Sequence, residues 1–272
     1  MGILNLTPDS FSDGGRYVDT DAAVAHGLRM AREGAAIIDV GGESTRPGSK
    51  RVTSDEQIRR VAGPIRRLRR ELDDQGLERV MISIDTTLAE VAGAALDAGA
   101  SMLNDISAGQ EDGRMFALAA ERDTPVVLMH MLGEPGTMQD EPRYEDVVTE
   151  VIGFLLQRAE SAVAAGIGRD RIWIDPGIGF GKTLEHNLAL MGALDRFVAT
   201  GFPVLLGVSR KRFIAGCCPQ MDGTKLADQR LPGTLAAGLA GARAGVVALR
   251  VHDVAAHCQA MSVWSAINAW MI

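Results

Sequence analysis

The chain has 272 residues, 46% of them apolar and 23% charged, with a net charge of −7. That acidic balance excludes a general nucleic-acid surface, and no apolar run approaches the roughly 20 residues of a membrane span. Three cysteines, Cys217, Cys218 and Cys258, exclude a disulfide framework and lack zinc-site spacing. Without a charged-then-apolar leader pattern at its start, the chain reads as a cytoplasmic protein.

Strands are predicted at Gly2–Leu6, Ala36–Val40, Val80–Asp85, Met102–Asp105, Val126–His130, Ile172–Asp175, Val204–Gly207 and Val247–Arg250. Helical patterns fall between them at Asp21–Glu33, Ser54–Gln75, Thr87–Ala98, Arg114–Glu121, Tyr144–Ala165, Leu184–Thr200, Arg230–Ala244 and Val254–Ala269. The run Arg66-Arg67-Leu68-Arg69-Arg70 lies on a helical face opposite apolar residues and reads as a solvated surface. Near-continuous apolar strands need cover on both faces, hence a parallel sheet. Eight βα units over residues 1–272, with no linker, predict one α/β domain, a (β/α)8 TIM barrel; a doubly wound open sheet is the alternative.

Barrels of this kind build their sites at the C-terminal ends of the strands. In strand order those ends offer Asn5; Asp39, then Glu43, Thr45 and Arg46; Asp85; Asn104 and Asp105; and His130. They continue with Asp175; Ser209, Arg210 and Lys211; and Arg250, His252 and Asp253. Carboxylates and Asn104 on facing strands, together with Lys211, suit a flat heterocycle rich in donors and acceptors, pterin-like or guanine-like. Met129 is placed to line such a pocket. Arg250 and His252 follow the eighth strand, where barrels often hold phosphate, and Arg46 can reach the same anion. Asn5 is an oxygen ligand suited to Mg²⁺, which takes few protein ligands.

The segment DPGIGFGKT at Asp175–Thr183 is not a Walker A loop, because Pro176 stands at the first glycine position; Lys182 at the third glycine position also breaks G-x-G-x-x-G. No H-E-x-x-H spacing supports a zinc hydrolase, and His186 at a helix start reads as structural.

The motifs MGILNLTPDSFSDGG (Met1–Gly15), DVGGESTRPG (Asp39–Gly48), SIDT (Ser83–Thr86) and LNDISAG (Leu103–Gly109) fall at successive strand ends. So do LMHM (Leu128–Met131), DPGIGFGKTLEHN (Asp175–Asn187), GVSRKRFI (Gly207–Ile214) and LRVHDV (Leu249–Val254). Over almost its whole length the chain resembles the dihydropteroate synthases, the folate-pathway transferases that sulfonamides target. The resemblance implies condensation of para-aminobenzoate with 6-hydroxymethyl-7,8-dihydropterin diphosphate, with Mg²⁺-assisted, SN1-like departure of diphosphate. It implies that Asp85, Asn104, Met129, Asp175 and Lys211 hold the pterin while Arg250 packs over its ring. Asn5, Thr45, Arg46, Arg250 and His252 match the diphosphate site, with Asn5 the metal ligand. Phe11, Thr45, Pro47, Phe180, Ser209 and Lys211 match the para-aminobenzoate pocket. Asp85, Asp175, Lys211, Arg250 and His252 would carry the catalysis.

Thr7–Gly15 and Thr45–Lys50 are Gly/Ser/Pro-rich and are expected to act as lids, with Asp9 and Phe11 closing over diphosphate. Two rival readings remain: a pterin-dependent methyltransferase barrel and a non-catalytic pterin-binding paralogue. Relative to the family, the residues that usually precede the first strand are missing, so a less covered barrel floor or strand-1 edge is expected. Cys217-Cys218 and Pro219–Ala227 are expected to form an irregular loop. With the motifs intact, ordinary sulfonamide sensitivity is expected. Val263, Trp264, Ile267, Trp270 and Met271 form an apolar stripe for core packing or contact, and the family resemblance implies a homodimer.

Overall fold

The structure, a computed structural model, describes residues 1–7, 20–44, 51–133, 138, 141–221 and 226–270. Eight parallel strands run in chain order: β1 (Gly2–Asn5), β2 (Ile37–Gly41), β3 (Met81–Asp85), β4 (Met102–Asp105), β5 (Val126–Met129), β6 (Ile172–Asp175), β7 (Leu205–Leu206) and β8 (Ala248–Leu249). β1 to β6 pair successively, and β7 pairs with β8. Two bridges close the ring: Ile174 pairs with Val204 just before β7, and Gly2 pairs with Val251 just after β8. The barrel is therefore closed, and the open-sheet alternative falls away.

One side chain from each strand or its edge fills the lower barrel. Ile37, Met102, Val127 and Leu205 are buried there, with Met1, Met81, Trp173 and Ala248 packed against them. Because side chains alternate along a strand, the residues two positions further on also point inward. On five of the strands those residues are Asp39, Ser83, Asn104, Asp175 and Arg250. Asn5 and Asp85 follow at four positions on from Met1 and Met81. An apolar plug below thus forces a polar layer above.

Outside the ring lie α1 (Thr20–Arg32), α2 (Ser54–Asp74), α3 (Ala89–Asp97), α4 (Met115–Glu121), α5 (Val147–Ala164), α6 (Leu184–Gly192), α7 (Leu194–Val198), α8 (Arg212–Cys217), α9 (Leu231–Ala244) and α10 (Val254–Asn268). They bury the larger apolar cluster against the outer faces of the strands. The basic run on α2 is a surface as expected: Arg67 pairs with Asp21 and Glu71, and Arg69 with Asp73, while Ile65 and Leu68 are buried. No helix among the described residues is long and apolar enough to cross a membrane.

Two expectations need correction. The helix predicted over 184–200 breaks at Ala193, whose ψ of 20° is not helical. The break lets Leu190, Leu194 and Phe197 all reach the core. Cys217 does not begin an irregular loop but ends α8, which forms because Phe213 and Ile214 are buried. A 3-10 turn, Ala227–Arg230, precedes α9. Of the two readings of the C-terminal apolar stripe, contact is the one its exposure suits: Val263 and Ile267 on α10, and Trp270 just beyond it, are exposed, Trp270 by 84%. Met271 lies outside the described residues.

Candidate active site

At the barrel mouth Arg250 reaches across from β8 to two carboxylates. Its Nε donates to Asp39 Oδ2 at 2.6 Å and its Nη2 to Asp85 Oδ2 at 2.7 Å. Asn104 Nδ2 donates to the same Asp39 oxygen at 3.0 Å. Asp39 is fully buried, and its Oδ1 has no hydrogen-bond partner among the described residues. Asp39 takes one Asn104 amide hydrogen and so orients the amide, leaving its Oδ1 and its second N–H for a ligand. Asp39 was legible as a strand-end carboxylate, but its part in orienting Asn104 and Arg250 was not.

Burial pushes the Asp85 carboxyl up to about 7, with Arg250 opposing and Asp39 and Asp105 adding to the rise. For Arg250 burial works against the charge, but Asp39 and Asp85 outweigh it and hold the guanidinium above its ordinary value. On β6, Asp175 is also raised by burial, against the pull of Lys211, and its Oδ1 accepts the Gly177 N–H at 2.7 Å. Lys211 is pushed down to about 8 by burial, with Asp175 opposing. Its ammonium donates to the Ile178 carbonyl and lies 4.7 Å from the centre of the Phe180 ring. Acceptors on β2 to β6 thus face two cations, Lys211 and Arg250, that follow β7 and β8, an arrangement suited to a ring with N–H edges and an attached anion.

Ser209 is buried and serves His252. The two share a contact of 2.9 Å between Oγ and Nδ1, and the His252 backbone N–H donates to the same hydroxyl at 3.2 Å. Met129 is buried at the end of β5. Asn5 stands beside Asp85: a Cβ built on Gly41 would lie 3.7 Å from Asn5 Oδ1 and 3.9 Å from Asp85 Oδ2. Thr45, Arg46, Pro47, Asp9 and Phe11 lie outside the described residues.

Not every polar strand end faces the mouth. Asp105 turns into its own loop and accepts from Ser107 N, Ser107 Oγ and Gly109 N. Glu43 accepts from Val52 N and Gln57 Nε2. Arg210 and Asp253 pair with each other at 2.6 Å. His130 is buried beside Lys182, at 2.9 Å from Nδ1 to Nζ. His186 completes a capping box with Thr183, the structural role expected of it. Among the described residues, no group of three or more His, Cys, Asp or Glu could hold a metal ion.

The loop after β6 reaches the site only because it packs backbone to backbone. Gly177 has a φ of 66°, and a Cβ there would stand 1.9 Å from the His130 carbonyl oxygen. Only glycine fits.

These features define a class: a (β/α)8-barrel enzyme whose strand ends hold a flat heterocycle bearing an anionic group. The pterin binding enzyme family model matches residues 1–252. A dihydropteroate synthase of Streptococcus pyogenes is 45% identical over 265 residues, covering 97% of this chain and 94% of that protein. A Xanthomonas albilineans dihydropteroate synthase solved with 4-aminobenzoic acid matches with a TM-score of 0.89 and 47% identity, over 99% of this chain and 92% of that one. A Yersinia pestis dihydropteroate synthase in complex with a sulfonamide drug gives a TM-score of 0.88 and 40% identity, over 99% and 93% of the two chains. The chain belongs to the pterin-binding enzyme family.

Proposed function

We infer that this chain is a dihydropteroate synthase, a transferase joining 6-hydroxymethyl-7,8-dihydropterin diphosphate to para-aminobenzoate, with 7,8-dihydropteroate and diphosphate as products. The observation that carries the reading is the shared set of contacts among Asp39, Asn104, Asp85 and Arg250, facing Asp175 and Lys211 across a closed barrel. Asn104 Oδ1 and the carboxylates of Asp85 and Asp175 are acceptors for the N–H and NH₂ groups of a pterin edge, and Met129 lines that pocket. Lys211 donates from the opposite side.

Arg250 uses Nε and Nη2 on Asp39 and Asp85, which leaves Nη1 for the diphosphate. His252, held by Ser209, and Thr45 and Arg46 of the strand-2 loop complete the anion site. Asn5, whose Oδ1 lies beside Gly41 at the mouth, would hold Mg²⁺ there, an amide oxygen being a ligand that suits a hard cation. When bound, the ion would neutralise the departing diphosphate. The methylene C–O bond breaks first, its electron pair leaving with diphosphate, and Asp85 and Asp175 stabilise the resulting pterin cation. The aniline nitrogen of para-aminobenzoate then supplies the pair for the new C–N bond and afterwards loses its proton to solvent. Phe180, Ser209, Lys211, Phe11, Thr45 and Pro47 make the pocket for this second substrate, which sulfonamides would occupy in competition with it.

We place the enzyme in the cytoplasm as one barrel domain over residues 1–272, and as a homodimer to which the exposed apolar residues of α10 are suited. The direct test is product formation: dihydropteroate from the two substrates with Mg²⁺, suppressed by a sulfonamide and restored by excess para-aminobenzoate. No product, or inhibition that para-aminobenzoate does not relieve, would contradict the reading.

A further inference from the structure

A buried lysine with no carboxylate in ion-pair contact among the described residues is costly, and Lys182 is one: 3% exposed at the end of the glycine loop after β6. Its Nζ meets three acceptors: the Phe180 carbonyl at 2.9 Å, His130 Nδ1 at 2.9 Å and the His130 carbonyl at 3.4 Å. Burial and the neighbouring Lys182 push His130 down to about 3, so near neutral pH its Nδ1 lone pair is free to accept. Burial, with Lys211 adding to it and Asp175 opposing, pushes Lys182 down to about 7; its protonated form carries three hydrogens for these three acceptors.

Two of those acceptors belong to the residue after β5 and one to the loop after β6. The amine therefore ties two strand ends together at their mouth. The His130 ring is itself fixed, packing edge-on against Phe154 with centroids 4.9 Å apart. Tyr144 adds a second tie by donating to the Gly181 carbonyl at 2.8 Å. Between these ties sits Phe180, whose ring faces the Lys211 ammonium.

We propose that Lys182 is a positioning residue: its amine locks the Phe180 backbone to the end of β5 and so sets the Phe180 ring for the second substrate. The proposal rests on the reading above that Phe180 contacts para-aminobenzoate. Asp85 and Asn104 hold the pterin from β3 and β4 without the loop, whereas Asp175, Met129 and Lys211 border it. Phe180 itself is the residue the tie fixes, so loss of the tie should weaken binding of the aromatic amine more than binding of the pterin.

The experiment compares the KM values for both substrates in the wild type, Lys182→Met, His130→Leu, His130→Asn and Phe180→Ala, with thermal unfolding of each. Lys182→Met is expected to raise the KM for para-aminobenzoate at least tenfold and that for pterin diphosphate less than threefold. His130→Leu should shift the KM values in the same direction, and His130→Asn, whose Oδ1 replaces the Nδ1 acceptor, should recover most of the loss. A staple with only a structural role would lower the melting temperature and move both KM values together, and that result overturns the proposal. If Lys182→Met does not fold, the contrast between His130→Leu and His130→Asn decides in the same way. If Phe180→Ala raises the KM for para-aminobenzoate but Lys182→Met and His130→Leu do not, only the proposal for Lys182 fails. If Phe180→Ala leaves that KM unchanged, the pocket reading fails and the proposal with it.

Discussion

Arg250 and Asp39 stand 211 residues apart in the chain and 2.6 Å apart in the barrel, and the same guanidinium holds Asp85 at 2.7 Å. One cation offsets two carboxylates that would otherwise repel each other in a dry pocket. Arg250→Ala removes it and leaves both charges unpaired, a change that costs about 3–5 kcal/mol in comparable buried pairs. Denaturant unfolding should show a loss of that order, with kcat/KM falling about a hundredfold as a cation at the diphosphate is lost. Arg250→Lys, whose single ammonium cannot span both carboxylates, should lie between.

The raised pKa of Asp85 makes a stability prediction with a definite sign. Its carboxyl titrates near 7 in the folded protein and at an ordinary 3.8 when unfolded. Between those values the folded state holds a proton that the unfolded state has released, so the contribution is present at low pH and is lost as pH rises. Wild type should therefore lose stability relative to Asp85→Asn as pH rises from about 4 to about 7, and the difference should level off above that. Unfolding curves of both proteins across this range would check it, and a difference that grows in favour of wild type would refute it.

Gly177→Ala tests the close packing of the two loops. The new methyl would stand 1.9 Å from the His130 carbonyl oxygen at a φ of 66°. Neither the clash nor the strain can be relieved without moving β5 or β6. A loss above about 3 kcal/mol is expected from such combined backbone effects, together with loss of activity, because Gly177 also donates to Asp175. Gly153→Ala is the control, since a Cβ at that helical position meets nothing within 4 Å.

Much of this site could be read before the fold was known. Asp39, Asn104, Asp175 and Arg250 each follow an inward apolar residue by two positions, and Asp85 follows Met81 by four, so period-two alternation carries them above the plug. What alternation cannot reveal is which strand-end group turns away. Asp105 is drawn into its own loop by three local donors, and His130 leaves the mouth because Lys182 reaches it from 52 residues further along the chain. Lys182 itself read as an imitation of a phosphate-binding lysine, because its burial depends on the meeting of two loops. The break at Ala193 was hidden, and the choice between core packing and contact for the α10 stripe left open, for a related reason: apolar spacing along a helix does not tell which neighbour covers it.

The central claim, that this constellation releases diphosphate from a pterin and passes the pterin to an aromatic amine, has one direct measurement. Diphosphate release from 6-hydroxymethyl-7,8-dihydropterin diphosphate would be followed in wild type and Lys211→Ala, with and without Mg²⁺ and with and without para-aminobenzoate. The account predicts release in the wild type that requires Mg²⁺, dihydropteroate formation when para-aminobenzoate is present, and loss of both in Lys211→Ala. Tight pterin binding with no diphosphate release under any of these conditions would mark a pterin-binding protein without turnover and contradict the account.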